Sequence, residues 1–335
     1  MDPPNAVPAN AFMNVTLSSV MKDSTSLVLD RGQPRPNKPY LLDGGPDFNV
    51  GKRPPKRLPS KLPPAGNLHL HLSVGAKIGR GRVGRVYKAT IDLTNSSPEL
   101  SNMVLPPLVV KISRRHDAKR LAREAYYYEE MECLQGCAIP RYYGLYQTVI
   151  QPSMDFLPWV HDKVNRRPGC HGDCSDKDDS DTDSESSECD DDGDKDTEDE
   201  DSEDSEVYSS DEEEPPTPTL VSILILERIG GRLPLGKSLP PGIKEELETI
   251  YADLARLGVD HCDIRYFNIL RAPKNRSLHS LPSPFTQRTY GWRIVSFDNA
   301  CKSNMNAGFF WGYHHDLLNR LLLNLPWGDI YEPWD

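Results

Sequence analysis

The sequence predicts an α+β protein with a strand-rich first part and a smaller helical second part. A disordered N-terminal tail precedes them, and a disordered acidic insert interrupts the first. Three observations carry this reading. Alternating or β-branched apolar runs recur between residues 68 and 227, helical apolar spacing dominates after residue 240, and two long stretches have neither pattern. The expected division is 1–66 for a Pro-rich tail, 67–228 for the strand-rich part with its insert at about 165–218, and 229–335 for the helical part.

Residues 1–66 are rich in Pro, Asn, Ser and Gly without helical or strand periodicity, hence the tail. Within it "GKRPPKRLPSKLPP" carries Lys52, Arg53, Lys56, Arg57 and Lys61 among prolines. It reads as a solvated linker, with nuclear import or polyproline recognition as the functional alternative. "LHLHLSV" alternates Leu68, Leu70 and Leu72 with polar residues, as a half-buried strand does. "RVYKATI" and "PLVVKIS" add two strands. "DAKRLAREAYYYEEMECLQG" reads as a helix capped by Asp117 and ended by Gly136. "PRYYGLYQTVI" and "TLVSILILE" complete an expected twisted antiparallel sheet. Later, Ile243, Leu247, Ile250, Leu254 and Leu257 recur at helical spacing before Gly258. A strand is expected at "WRIVSF" and a last helix at "HHDLLNRLLLNL", with Leu317, Leu318, Leu321, Leu322 and Leu325 on one face.

The net charge of −11 is a sum of opposites. Between Asp173 and Glu214 stand 24 acids and two lysines, a net of −22; the remaining 37 basic and 26 acidic residues leave +11. A basic folded part suits anionic ligands, and the insert would attract basic proteins or that basic surface itself. The insert has almost nothing apolar to bury. Ser180, Thr182, Thr197 and Ser209 each have an acid three positions on, a pattern that acid-directed kinases use and that acid runs also produce by chance. No charged segment followed by an apolar one opens the chain, and "LVSILIL" is too short to span a bilayer. Seven cysteines without a secretory signal read as reduced thiols in cytosol or nucleus. Cys133 with Cys137, and Cys170, His171 and Cys174 in "CHGDC", lack a second matching pair at zinc-site spacing and read as free thiols. Arg114, Arg115, Lys119, Arg120 and Arg123 form a basic helix start that reads as a solvated face or an anion-docking site.

The chemistry concentrates in three motifs. Gly79, Gly81, Gly84 and Val86 have the spacing G-x-G-x-x-G-x-V, which lets a backbone approach phosphates. A dinucleotide loop runs from glycines into a helix; here "RVYKAT" continues as a strand. Lys111 closes the apolar strand "LVVK", and Glu124 falls on the apolar face of the helix that follows. A charge facing a core needs a partner, which makes these two a pair. Third, "DHCDIRYFNIL" gives His261-x-Asp263-Ile-x-x-x-Asn268, a catalytic-loop pattern between a helix and a short strand.

Together these motifs resemble the protein-kinase superfamily, and most closely the short kinase-like proteins of fungi. The resemblance covers about 68–160 and 219–325, with "EAYYYEEMECLQGCAIPRYYG" as the helix-C region and "ILILERIGG" as the hinge. It implies ATP in a cleft between two lobes, with phosphates under the glycine loop and against Lys111. The adenine edge would bond backbone at Glu227 and Ile229, behind Leu226. Val109 replaces the usual roofing Ala. Asp263 would accept the proton of the attacking hydroxyl, and Asn268 would bind magnesium.

Two departures stand out. Asp-Phe-Gly is replaced by Ser296, Phe297 and Asp298. A serine hydroxyl is a poor magnesium ligand. Either one ligand is lost, or Asp298, two residues on, takes its place through a local turn; Asp298 also suits a plain turn residue in "DNA". Secondly, only 37 residues follow Asp298, without Ala-Pro-Glu, so a shortened C-lobe is expected. The readings are an ATP- and magnesium-dependent phosphotransferase, Ser/Thr-directed, or a pseudokinase scaffold that binds nucleotide and uses the acidic insert for partners. No membrane or nucleic-acid partner is expected.

Overall fold

A computed structural model describes residues 3–42, 53–163, 217–274 and 278–330. The acidic insert up to Pro216, with Ser180, Thr182, Thr197, Ser209 and the "CHGDC" run, lies outside the described residues. The described chain is a mixed α and β structure whose largest element is a barrel. Seven strands close it: β1 (Phe12–Ser18), β2 (Leu27–Arg31), β3 (Leu68–Arg80), β4 (Gly84–Ile91), β5 (Leu108–Ser113), β6 (Tyr142–Ile150) and β7 (Thr219–Glu227). The order around it is β1-β2-β6-β7-β5-β4-β3, with β1 parallel to β3 and the other pairs antiparallel.

This closure corrects two expectations. The sheet is not purely antiparallel, and the range expected to be tail contains two barrel strands, β1 and β2. Val15 pairs with Leu70 and Leu17 with Leu72 in a parallel register, between partners 55 residues apart in sequence. Val15, Leu17, Leu29, Leu70 and Leu72 are all fully buried in the barrel interior. Burial stabilises each such side chain by about 2 kcal/mol. The alternation in "FMNVTLS" is short and flanked by Pro and Asn, so it is weak locally; pairing with β3 holds it. The basic Pro-rich stretch is not free of the fold either. Ser60 Oγ and Lys61 N donate to Glu132 at 2.6 and 2.7 Å, and Arg57 lies 3.6 Å from the same carboxylate.

Strand alternation assigns the two faces of β5 and β7. Val110, Ile112, Ile223 and Ile225 point into the barrel. Val109, Leu224 and Leu226 point outward and join a second core. Helix α1 (Ala118–Glu130) buries Leu121, Ala125 and Tyr128 in that outer core. It ends earlier than expected, and Gly136 (φ 70°) follows a separate short turn. Asp117 makes no capping bond and instead sits 3.7 Å from Arg120.

Helix α2 (Ile243–Arg256) buries Ile243, Leu247, Ile250, Tyr251 and Leu254, and Gly258 (φ 65°) follows its last turn. Helix α3 (Ala307–Asn324) packs against α2 and buries Leu318, Leu321 and Leu322. It begins earlier than the leucine spacing indicated, because Asn306 caps it by accepting from Phe309 N at 2.8 Å. Four short strands connect these parts: β8 (Val259–Asp260) pairs with β11 (Cys301–Lys302), and β9 (Ile269–Arg271) with β10 (Trp292–Ile294). Among the described residues, no helix is long and apolar enough to cross a membrane.

Candidate functional site

Lys111 shares the outward face of β5 with Val109, so its ammonium meets α1 rather than the barrel interior. Glu124 meets it there, with Nζ–Oε2 at 2.6 Å. The two side chains are 6% and 1% exposed, so neither charge has water as an alternative partner. Burial alone would lower the Lys111 pKa; the carboxylates of Glu124, Asp298 and Asp263 overcome it and hold the ammonium above its ordinary value. Burial pushes the Glu124 carboxyl up, and the Asp298 charge pushes it further against the pull of Lys111.

The chain turns just beyond β10. Ser296 takes φ 67°, a left-handed conformation that costs a non-glycine residue roughly 1 kcal/mol or more. Ser296 and Asp298 therefore do not alternate along one extended strand. Lys111 Nζ lies 3.4 Å from Ser296 Oγ, and Asp298 is buried close enough to act on both Lys111 and Glu124. Between them Phe297 is fully buried, edge-on to Tyr128 of α1 (5.3 Å) and to His261 (4.9 Å). The aromatic ring anchors the turn; Ser296 on one side faces the lysine, and Asp298 on the other lies near enough to act on it through its charge.

Asp263 and Asn268 come together in the loop between β8 and β9. Asn268 Nδ2 donates to the Asp263 backbone carbonyl at 2.9 Å and to Oδ2 at 3.0 Å. Arg265 Nε lies 2.6 Å from Asp263 Oδ1. His261 Nε2 is 2.9 Å from the Val295 carbonyl, and burial lowers the pKa of its ring. Among the described residues, Asn268 Oδ1 and Asp298 Oδ1 accept no hydrogen bond. These are hard oxygen donors, a chemistry that suits magnesium.

The glycine loop divides by position. A Cβ on Gly84 would lie 2.5 Å from the Ile112 carbonyl oxygen, so packing on β5 demands glycine there. Cβ atoms on Gly79 and Gly81 would meet only ordinary contacts, at 3.6 and 3.7 Å. Packing does not explain those two. Gly81 N donates to Gly84 O at 2.8 Å and closes the tip. There Arg82 reaches Asp298, with Nη2–Oδ2 at 2.9 Å. Val86 and Val109 belong to the same outward core, beside Leu226.

At the end of β7 the Glu227 side chain is buried in an ion pair with Arg141 at 2.9 Å. Arg228 N and Gly230 N donate to Pro107 O and Arg271 O at 2.7 and 2.8 Å, whereas Ile229 N has no hydrogen-bond partner among the described residues. A concavity of about 270 Å³ borders this backbone, lined by Pro107, Arg228, Ile229, Gly230, Pro273 and Lys274. It does not include the Lys111 cluster.

The fold thus joins Lys111, Glu124, Ser296 and Asp298, and separately Asp263 with Asn268. It adds two arginines that sequence reasoning missed, Arg82 and Arg265. Arg82 had a signal in its place at the glycine-loop tip; Arg265 sits at an unspecified position of the loop pattern.

No family model matches the chain, and no curated protein matches it. A solved structure of the ROP18 kinase domain in complex with AMP-PNP and sucrose is similar at 13% identity with a TM-score of 0.34. The match covers 76% of this chain, which spans 57% of that one. So low a score carries no argument about function.

Proposed function

We propose that the chain is a two-lobe, protein-kinase-like phosphotransferase that uses ATP and magnesium and acts on Ser/Thr hydroxyls. The carrying observation is the buried Lys111–Glu124 pair at 2.6 Å, with Ser296 Oγ 3.4 Å from the same lysine and the Asp298 charge nearby. A buried ion pair is weak evidence for stability, and replacement by apolar residues is often neutral or better. Its presence beside a glycine loop and two further carboxylates fits a need to hold one cation in place for an anionic ligand.

In this reading Lys111 binds nucleotide phosphates and Glu124 sets its direction. Gly79 and Gly81 allow the loop backbone to approach the phosphates, and Val86 and Val109 cover the base. The Glu227 and Ile229 backbone would meet the adenine edge, for which the unpartnered Ile229 N–H is a suitable donor. Asp263 accepts the proton of the attacking hydroxyl; Asn268 and Arg265 keep its carboxylate oriented. Asn268 and Asp298 would hold magnesium, which supplies charge neutralisation on the phosphate oxygens. Positioning and charge carry the rate, since little covalent chemistry is asked of the protein.

A second reading, a nucleotide-binding pseudokinase, rests on Ser296 at the usual metal position and on Arg82 occupying Asp298. The test is ATP binding titrated with and without magnesium, in wild type, Asp298→Asn and Arg82→Ala. The phosphotransferase reading expects tighter binding with magnesium, and loss of that gain in Asp298→Asn. Binding indifferent to magnesium in all three proteins supports the pseudokinase. Transfer unchanged by Asp263→Asn would sink the assignment of the base.

A further inference from the structure

Cys262 and Cys301 stand 39 residues apart in sequence, yet their sulfurs lie 3.5 Å apart. The register of two short strands causes this. Cys301 of β11 pairs with Asp260 of β8, and the chain then turns back at Cys262, whose φ is 55°. The turn is held by Cys262 N donating to Asp260 Oδ1 at 3.0 Å. A carboxylate oxygen of Asp260 and the two sulfurs all lie within 4.8 Å of one another. Cys301 and Asp260 are buried, and Cys262 is half-buried, which leaves a route inward.

We propose that Asp260, Cys262 and Cys301 form a binding site for a thiophilic divalent cation, zinc by the chemistry of its donors. Zinc–sulfur bonds of about 2.3 Å in tetrahedral geometry put two thiolates roughly 3.8 Å apart. The observed 3.5 Å is close to that, and roughly 1.5 Å longer than a disulfide bond. The outer partners of the site are present as well. His314, itself buried, places Nε2 3.4 Å from Asp260 Oδ1, the kind of neighbour that orients a ligating carboxylate. The two sulfurs lie within hydrogen-bond distance, so a proton sits between them. Metal binding would displace that proton. The cation would clamp β8 to β11 and fix the residue that immediately precedes Asp263. This inference rests on the thiol geometry and is independent of phosphotransfer.

The test uses the full chain with Cys170, Cys174 and Cys189 changed to Ser, so that sulfurs of the acidic insert cannot contribute. Reduced, chelator-treated protein is titrated with cobalt(II), then zinc. The expected result is a single cobalt site with a thiolate charge-transfer band, bleached by stoichiometric zinc. Cys262→Ser and Cys301→Ser should each weaken binding by more than roughly tenfold, and Cys133→Ser should not. Zinc-edge X-ray absorption on the parent gives a readout that needs no further variant. Two sulfurs at about 2.3 Å support the site. No charge-transfer band, a coordination shell of nitrogen and oxygen only, or a band unchanged in both Ser variants would overturn it. Recovery of Cys262–Cys301 as a disulfide from reduced-cell lysates would do the same.

Discussion

Replacing Lys111 by Met removes a buried cation while keeping most of its volume. At an effective dielectric of about 20, two charges 2.6 Å apart attract by roughly 6 kcal/mol before any cost is counted. Desolvation of the two ions costs several kcal/mol each, so the intact pair is near break-even. Removing one partner is different, because the other charge stays buried; such changes cost about 3–5 kcal/mol. The surroundings set the order. Lys111→Met leaves Glu124 buried, with the Asp298 charge acting on it and no lysine, and should fall at the upper end. Glu124→Leu leaves Lys111 with Asp298 and Ser296 Oγ at 3.4 Å, and should fall lower. The double variant Lys111→Met/Glu124→Leu should lie within about 1 kcal/mol of wild type, apart from the residual Asp298 charge that Arg82 still meets. Urea denaturation of the four proteins at neutral pH measures the cycle, and nucleotide binding should be lost in all three variants. Single effects that add within about 0.5 kcal/mol would refute the coupling, and with it the claim that these charges stabilise one another rather than the fold.

Leu17→Ala should destabilise by about 2–5 kcal/mol, since Leu17 is fully buried in the barrel; an unchanged denaturation midpoint would mean that β1 is not part of the fold. Gly84→Ala should cost about 1–3 kcal/mol through its clash with the Ile112 carbonyl, whereas Gly81→Ala should leave the midpoint alone and weaken ATP binding, as calorimetry of both would tell. His261 has its pKa lowered by burial, so the folded state prefers the neutral ring; its contribution is complete above about 6.5 and is lost as pH falls through the depressed value. A stability–pH curve should therefore drop on the acid side of 6.5, and His261→Phe should flatten that drop while losing roughly 1 kcal/mol with the bond to Val295 O. A curve of identical shape in the variant would remove His261 from the account.

Most of the strands and helices were legible because their signals are local. The alternation at Leu68, Leu70 and Leu72, the β-branched run at Val109 and Val110, and the spacing of Ile243, Leu247, Ile250 and Leu254 each lie within one element. The Lys111–Glu124 pair was legible for a related reason: a charge on an apolar helix face has to find an opposite charge, and one stood thirteen residues away. Beyond that reach the sequence was silent. Phe12–Ser18 and Leu27–Arg31 read as tail because their partners are distant, and only barrel closure makes their few apolar residues a buried face. The turn at Ser296, which brings Ser296 to Lys111 and Asp298 to Arg82, depends on Phe297 seating between Tyr128 and His261. The approach of Arg82 to Asp298 and of Cys262 to Cys301 likewise joins segments from opposite ends of the chain or from separate strands. Periodicity and propensity act over a few residues, whereas charge pairs and thiol pairs form wherever packing brings side chains together. The sequence alone named the candidate residues; the tertiary structure decided which of them meet.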